Sequence, residues 1–97
     1  MAEKKICVVY ILECSDGTYY TGYTNDLEKR LERHNKGLAS KYTRARLPVK
    51  ILWSKECKNQ KFAMRTELRI KGLTRKQKES LISGGRLDNV LARARKS

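Results

Sequence analysis

The sequence predicts a small α/β (α+β) layer fold, a three-stranded antiparallel sheet flanked by helices. Three observations predict it. Residues 5–24 hold two β-type runs on either side of a tight-turn signal. Residues 49–54 hold a third such run. Between and after these runs, apolar residues recur at helical spacing behind N-capping residues.

The first strand, residues 5–14, is rich in Val and Ile and nearly continuous in apolar character, which suits a central strand covered on both faces. Ser15-Asp16-Gly17 is the turn, since glycine accepts the positive φ of a tight hairpin. The second strand, residues 18–24, carries Tyr19, Tyr20 and Tyr23. Asn25 is the expected cap of the first helix, with Glu28 completing a capping box and Asp26 favouring the helix start. That helix runs to about Lys36 and closes at Gly37. Residues 38–47 read as a basic loop ended by Pro48, and Ile51 and Trp53 mark the third strand. A second long helix starts at Asn59 or Gln60, runs to Lys71 and stops at Gly72. Thr74 and Gln77 form a capping box for a short helix to about Ile82, broken by Gly84-Gly85. Residues 1–83 are expected to form the domain. Residues 84–97 are expected to be a basic C-terminal tail, either a frayed helix or disordered.

Length and composition narrow the function. The 97 residues support one core and no second domain. No apolar run approaches the roughly 18 residues of a spanning helix. Met1 to Lys5 lacks a signal-peptide layout, so a cytoplasmic protein is expected. Cys7, Cys14 and Cys57 are odd in number and lack CxxC spacing, which argues for free thiols rather than disulfides or zinc. Lys and Arg number 23 against 10 acids, a formal net charge of +13. The excess is clustered, in residues 41–50 and 61–79, and a clustered excess favours a nucleic-acid partner over a membrane. The loop residues Lys41, Tyr42, Arg44 and Arg46 are the expected nucleic-acid contacts, with Tyr42 available to stack on an unpaired base.

At about 100° per residue, Leu27, Leu31 and Leu38 share one stripe of the first helix, within roughly 40° of one another. His34 lies at its margin with Arg30 one turn earlier, an i,i+4 pair beside the buried face. On the second long helix Phe62, Thr66, Ile70 and Leu73 form the stripe, and Glu67 sits on its flank. An acid at a core margin amid so many cations can anchor a divalent metal.

Taken together and in order, Tyr10 after Val8-Val9, Tyr20-Thr21-Gly22 ten residues on, Arg30, His34 and Glu67 resemble the GIY-YIG nuclease superfamily, and within it a small single-domain bacterial branch. The resemblance spans residues 6–83. Val8, Val9 and Thr21 depart from the family motifs at backbone and packing positions. Tyr23 stands where some relatives carry lysine, and Asn89, past the double glycine, does not match the late asparagine of others.

The resemblance implies hydrolysis of a DNA phosphodiester with one Mg²⁺ or Mn²⁺ held by Glu67, with work on repair or recombination intermediates in view. It implies that Tyr10, helped by Tyr20, is the general base, its pKa lowered by Arg30 and the metal. Arg30 braces the transition state, and His34 bonds the phosphate or relays the proton. No recognition-helix or zinc-finger motif accompanies the site, so structure-selective or weakly specific cutting is the expectation, and a monomer is expected. The alternative is a non-catalytic nucleic-acid-binding module, on DNA or RNA, with a partner-dependent subunit as a third reading.

Overall fold

A computed structural model describes residues 7–96, with side chains as far as Ala92. The elements in order are β1 (Cys7–Glu13), β2 (Tyr19–Thr24), α1 (Leu27–Asn35), α2 (Lys41–Arg44), β3 (Lys50–Cys57), α3 (Gln60–Lys71), α4 (Arg75–Ile82) and α5 (Leu87–Lys96). The sheet order is β2-β1-β3, and both pairings are antiparallel.

The near-continuous apolar run of β1 follows from its central place. Side chains alternate across a strand, so the two sets of residues meet different helices. Cys7, Val9 and Ile11 pack with Ala63 and Ile70 of α3, Leu81 of α4 and Val90 of α5. Tyr10 and Leu12 point the other way, toward Leu27 and Leu31 of α1. Val9, Ile11 and Leu12 are fully buried, and each contributes about 1.5–3 kcal/mol to folding. On β2 the hydroxyl of Thr21, at a 3% exposed residue, has no hydrogen-bond partner among the described residues.

The hairpin turn follows its sequence signal. Gly17 takes φ +83°, and Asp16 accepts hydrogen bonds from the backbone N–H and the hydroxyl of Thr18 at 3.1 and 2.6 Å. Register pairs Tyr10 with Gly22 and Leu12 with Tyr20. The β1–β3 pairing is irregular between Ile11 and Leu12, where Trp53 and Ile51 are their respective partners.

Several elements differ from the sequence expectation. Asp26, not Asn25, caps α1 and accepts from the N–H of Lys29, which puts Glu28 one position too early for a capping box. After α1 the chain turns at Gly37, φ +76°. The N–H of Leu38 bonds the carbonyl of Arg33, and that of Gly37 the carbonyl of His34. This paired closure swings the chain away from the helix axis, so Leu38 is 62% exposed rather than part of the stripe. Phe62 is also outside the core: it lies at the stripe's edge in the first turn of α3, with Lys58 over its ring. The basic loop contains the single turn α2, capped by Ser40. The third strand extends to Cys57. The stretch read as a tail is helical over α5, because Leu87, Val90 and Leu91 recur at i, i+3, i+4, and Val90 is buried. Residues 5 and 6 of the expected first strand, and the side chains of Arg93, Arg95 and Lys96, lie outside the described residues.

Candidate active site

Tyr10 reaches the site from the middle of the central strand and is 1% exposed. Its phenol lies over Gly22, its partner in the register. A Cβ at Gly22 would stand 2.6 Å from the Tyr10 hydroxyl and 2.8 Å from Cζ, so only glycine leaves room there. Gly22 is therefore the floor on which the Tyr10 ring rests.

Behind the phenol sits His34, also 1% exposed. Its Nε2 lies 2.9 Å from the Tyr10 hydroxyl, and its Nδ1 2.9 Å from Oγ1 of Thr43 in α2. The imidazole packs edge-on against both Tyr10 and Tyr20. Burial, with a smaller contribution from Arg30, pushes its pKa down to about 4. The ring is therefore neutral at physiological pH. With both nitrogens engaged beneath Tyr10, His34 has no route to a phosphate. Of the two roles expected for it, the proton relay is the one this geometry permits.

This burial has a measurable consequence. Between pH 6.5, the ordinary value of an unfolded histidine, and about 4, the unfolded chain binds a proton at His34 that the folded chain does not. Stability should therefore fall as pH drops through that window, by up to about 3 kcal/mol from this group, and be indifferent to it above pH 7. Urea midpoints at pH 7 and 4.5 for the parent and His34→Asn check it. The parent should lose more stability than the variant, and equal losses would refute the assignment.

Tyr10 itself departs from the sequence expectation. Burial, reinforced by Tyr20 and Glu67, raises its pKa well above that of a free phenol, and Arg30 offsets only part of this. The guanidinium alone does not activate the phenol, because desolvation of a phenolate outweighs one partly exposed cation.

A cleft of about 740 Å³ opens over these groups, lined by Tyr10, Tyr20, Gly22, Arg30, Glu67 and Lys71 among others. Four elements supply it. Arg30 on α1 and Glu67 on α3 belong to helices packed on opposite faces of the sheet, and both reach the cleft alongside β2. Arg30 is half-buried, and its guanidinium has no hydrogen-bond or ion-pair partner among the described residues, so its donors remain available to an anion.

Among the described residues Glu67 is the only acid lining the cleft. Its side chain is 15% exposed, and Lys71 Nζ lies 3.1 Å from one carboxylate oxygen. Among the described residues no group of three His, Cys, Asp or Glu could cage a metal ion. One cleft-facing carboxylate fits a Mg²⁺-like ion that takes its remaining ligands from water and a substrate phosphate, and does not fit a tightly held structural metal. The existing ion pair shows that this carboxylate attracts a cation.

The expected nucleic-acid contacts divide into two pairs. Lys41 and Arg44 are exposed and unpaired among the described residues, as phosphate contacts would be. Tyr42 and Arg46 are committed elsewhere. The Tyr42 ring stacks on Tyr20 at 6.0 Å, and the Arg46 guanidinium lies 3.9 Å over the ring. Arg46 is further held by Asp16 at 3.0 Å and by the Tyr42 carbonyl at 2.9 Å. A base stacking on Tyr42 would compete with Tyr20 and Arg46, which already contact its ring. The pair braces Tyr20 and clips the hairpin turn to α2.

Three contributors escaped sequence reasoning. Thr43 is a single small polar residue in a basic loop, with no periodicity to flag it. Lys71 is one cation among many. The close approach that requires Gly22 is visible only once the strands are paired.

Comparison with known proteins agrees with this geometry. The GIY-YIG catalytic domain model matches residues 6–80. A UPF0213 protein of Bacillus cereus is 49% identical over 85 residues, 88% of each chain. One from Halobacterium salinarum is 53% identical over 73 residues, 75% of this chain and 95% of its own. The solution structure of the Bacillus halodurans UPF0213 protein shares the fold at TM-score 0.53 and 44% identity, covering 80% of this chain and 83% of that one. An Enterococcus faecalis protein does so at TM-score 0.58 and 40% identity, covering 86% and 88%. With a family model matched across most of its length and a shared α+β fold, this chain belongs to the GIY-YIG family, alongside the small UPF0213 proteins.

Proposed function

We propose that this protein is a metal-dependent nuclease that hydrolyses DNA phosphodiesters, favouring structured intermediates such as those of repair or recombination. The observation that carries this is convergence: Tyr10, Tyr20, Arg30 and Glu67, from four elements, line one cleft, with neutral His34 bonded behind Tyr10. The clustered positive charge of a +13 chain would gather the polyanion. Lys41 and Arg44, exposed on α2, would serve as phosphate contacts. The chain works as a monomer in the cytoplasm in this reading, and no helix among its described residues is long and apolar enough to cross a membrane.

Arg30 binds a non-bridging oxygen of the scissile phosphate and meets the charge that grows on it. Tyr10, steered by Tyr20, hydrogen-bonds the attacking water. As the water oxygen bonds phosphorus, its proton passes to the Tyr10 oxygen while the phenol's own proton moves to Nε2 of His34. The bond from phosphorus to the 3′-oxygen breaks, and that oxygen takes a proton from solvent. Glu67 would hold Mg²⁺ or Mn²⁺, which when bound supplies Lewis-acid stabilisation of the phosphate and the leaving oxygen.

A non-catalytic nucleic-acid-binding module is the competing reading. What favours it is the raised pKa of Tyr10, which opposes use as a base. A gel assay separates the two. Labelled single-stranded, nicked, flapped and duplex DNA, and RNA, are incubated with Mg²⁺ or Mn²⁺ and with EDTA, with Tyr10→Phe as control. Metal-dependent products reduced on the order of 10²-fold or more in the control are expected. Salt-sensitive binding without products would point to the binding module or to a partner-dependent subunit. Products on RNA alone would move the substrate class.

A further inference from the structure

The proton on His34 can sit on either ring nitrogen, and the two placements would do opposite things to Tyr10. We infer that Thr43 fixes it on Nδ1, leaving Nε2 as the proton acceptor that faces the Tyr10 hydroxyl. Thr43 is then a positioning residue for the site, acting from a helix that carries none of the cleft-lining groups discussed above.

The argument is a count of donors and acceptors. Thr43 is fully buried, and its Oγ1 lies 2.9 Å from Nδ1 of His34 and 3.3 Å from the carbonyl of Ser40. That carbonyl can only accept, so the Thr43 hydroxyl donates to it and its oxygen accepts from Nδ1–H. Nε2 then carries a lone pair, and the Tyr10 hydroxyl, 2.9 Å away, donates to it. Every proton in the row from Tyr10 to Ser40 has an acceptor.

The other tautomer breaks the row. Nε2–H would donate to the phenol oxygen, the Thr43 hydroxyl would turn to Nδ1, and the Tyr10 proton would need another acceptor. Among the described residues Tyr10 has no second hydrogen-bond partner, so at 1% exposure its proton could go only to a cleft water, the same water whose proton the phenol oxygen must take. Without that water the other tautomer leaves a buried donor unpartnered, at a cost of about 1–3 kcal/mol, which favours the proton on Nδ1.

Local structure places Thr43 for this. Ser40 caps α2 by accepting from the N–H groups of Tyr42 and Thr43, and the turn aims Thr43 inward while Lys41 and Arg44 stay exposed. The closure of α1 at Gly37 brings α2 back across His34.

His34 is the only histidine in the chain, so its two ring nitrogens can be assigned without ambiguity. The test is a long-range ¹H–¹⁵N correlation spectrum of ¹⁵N-histidine-labelled protein at pH 7, for the parent, Thr43→Val and Thr43→Ser. The parent and Thr43→Ser should show a protonated Nδ1 and an unprotonated Nε2. Thr43→Val should show a mixed or reversed pattern. With activity as a second readout, Thr43→Val should lose cleavage on the order of 10²-fold at unchanged nucleic-acid binding, and Thr43→Ser should recover most of it.

A parent with Nε2–H overturns the inference outright, even if Thr43→Val fails to fold. A Thr43→Val protein that keeps Nδ1–H overturns it as well. The effect on rate rests on the nuclease reading, but the spectrum does not. A parent with the expected tautomer and no cleavage would remove the nuclease and leave the role of Thr43 standing.

Discussion

Glu67→Gln should abolish metal-dependent cleavage while leaving nucleic-acid binding intact or slightly tighter. Gln keeps the length and hydrogen-bonding capacity of Glu and removes only the charge. Among the described residues Glu67 is the sole acid lining the cleft, so none of them offers a second carboxylate as cation ligand. Loss of the Lewis acid removes several kcal/mol of transition-state stabilisation, on the order of 10³-fold or more in rate. Stability should change by less than about 1 kcal/mol, because the lost ion pair with Lys71 lies on a helix flank with its ammonium half-exposed. Binding is retained because the substitution removes an anion from a strongly basic surface. Single-turnover cleavage, a filter-binding isotherm and a thermal melt on the same preparations separate these effects. A variant that cuts at the parent rate would remove Glu67 from the mechanism. One that loses binding and cleavage together would mean the carboxylate organises the cleft rather than serving the chemistry.

The order and type of the elements were legible because each rests on a local rule. The unbroken apolar character of residues 7–12 marked a strand covered on both faces, and β1 has a helix layer on each side. Where the sequence misled, a backbone event had broken the periodicity. The left-handed turn at Gly37 ended the angular bookkeeping that placed Leu38 in the core. The helix α5 was obscured by its arginines, although Leu87, Val90 and Leu91 hold the right spacing. At the candidate site, Tyr10, Tyr20, Arg30, His34 and Glu67 stand out in the sequence by residue type, order and family resemblance, and the fold brings four of them to one cleft with His34 behind Tyr10. Their electrostatics were not legible. Whether Arg30 outweighs the desolvation of Tyr10 depends on how deep the phenol lies, and no spacing in the chain encodes depth. Nor does residue type reveal that Tyr42 and Arg46, both expected as nucleic-acid contacts, also contact each other.

Gly22→Ala, a change of one methyl group, should damage the site nearly as much as removing the Tyr10 hydroxyl. The new Cβ would stand 2.6 Å from that hydroxyl and 2.8 Å from Cζ, closer than such atoms approach. A phenol at the end of a mobile side chain could swing aside, but Tyr10 is buried, paired in register with Gly22 and bonded to His34. Either the ring tilts and its bond to Nε2 breaks, or the two strands part. The first outcome misplaces the reacting oxygen, and an error near 1 Å costs on the order of 10²-fold in rate. The second adds a destabilisation of about 1–3 kcal/mol from overpacking. Gly17→Ala is the comparison. Nothing lies within 4 Å of a Cβ added there, yet Gly17 holds φ +83°, so this substitution strains a turn that does not line the cleft. It should lower the melting temperature and spare the rate of cleavage. Combining Gly22→Ala with Tyr10→Phe removes the atom of closest contact. The double variant should regain part of the stability lost by Gly22→Ala alone and none of the activity. If Gly22→Ala instead cuts like the parent at parent stability, the phenol does not rest on that glycine, and the packing that defines this site is wrong.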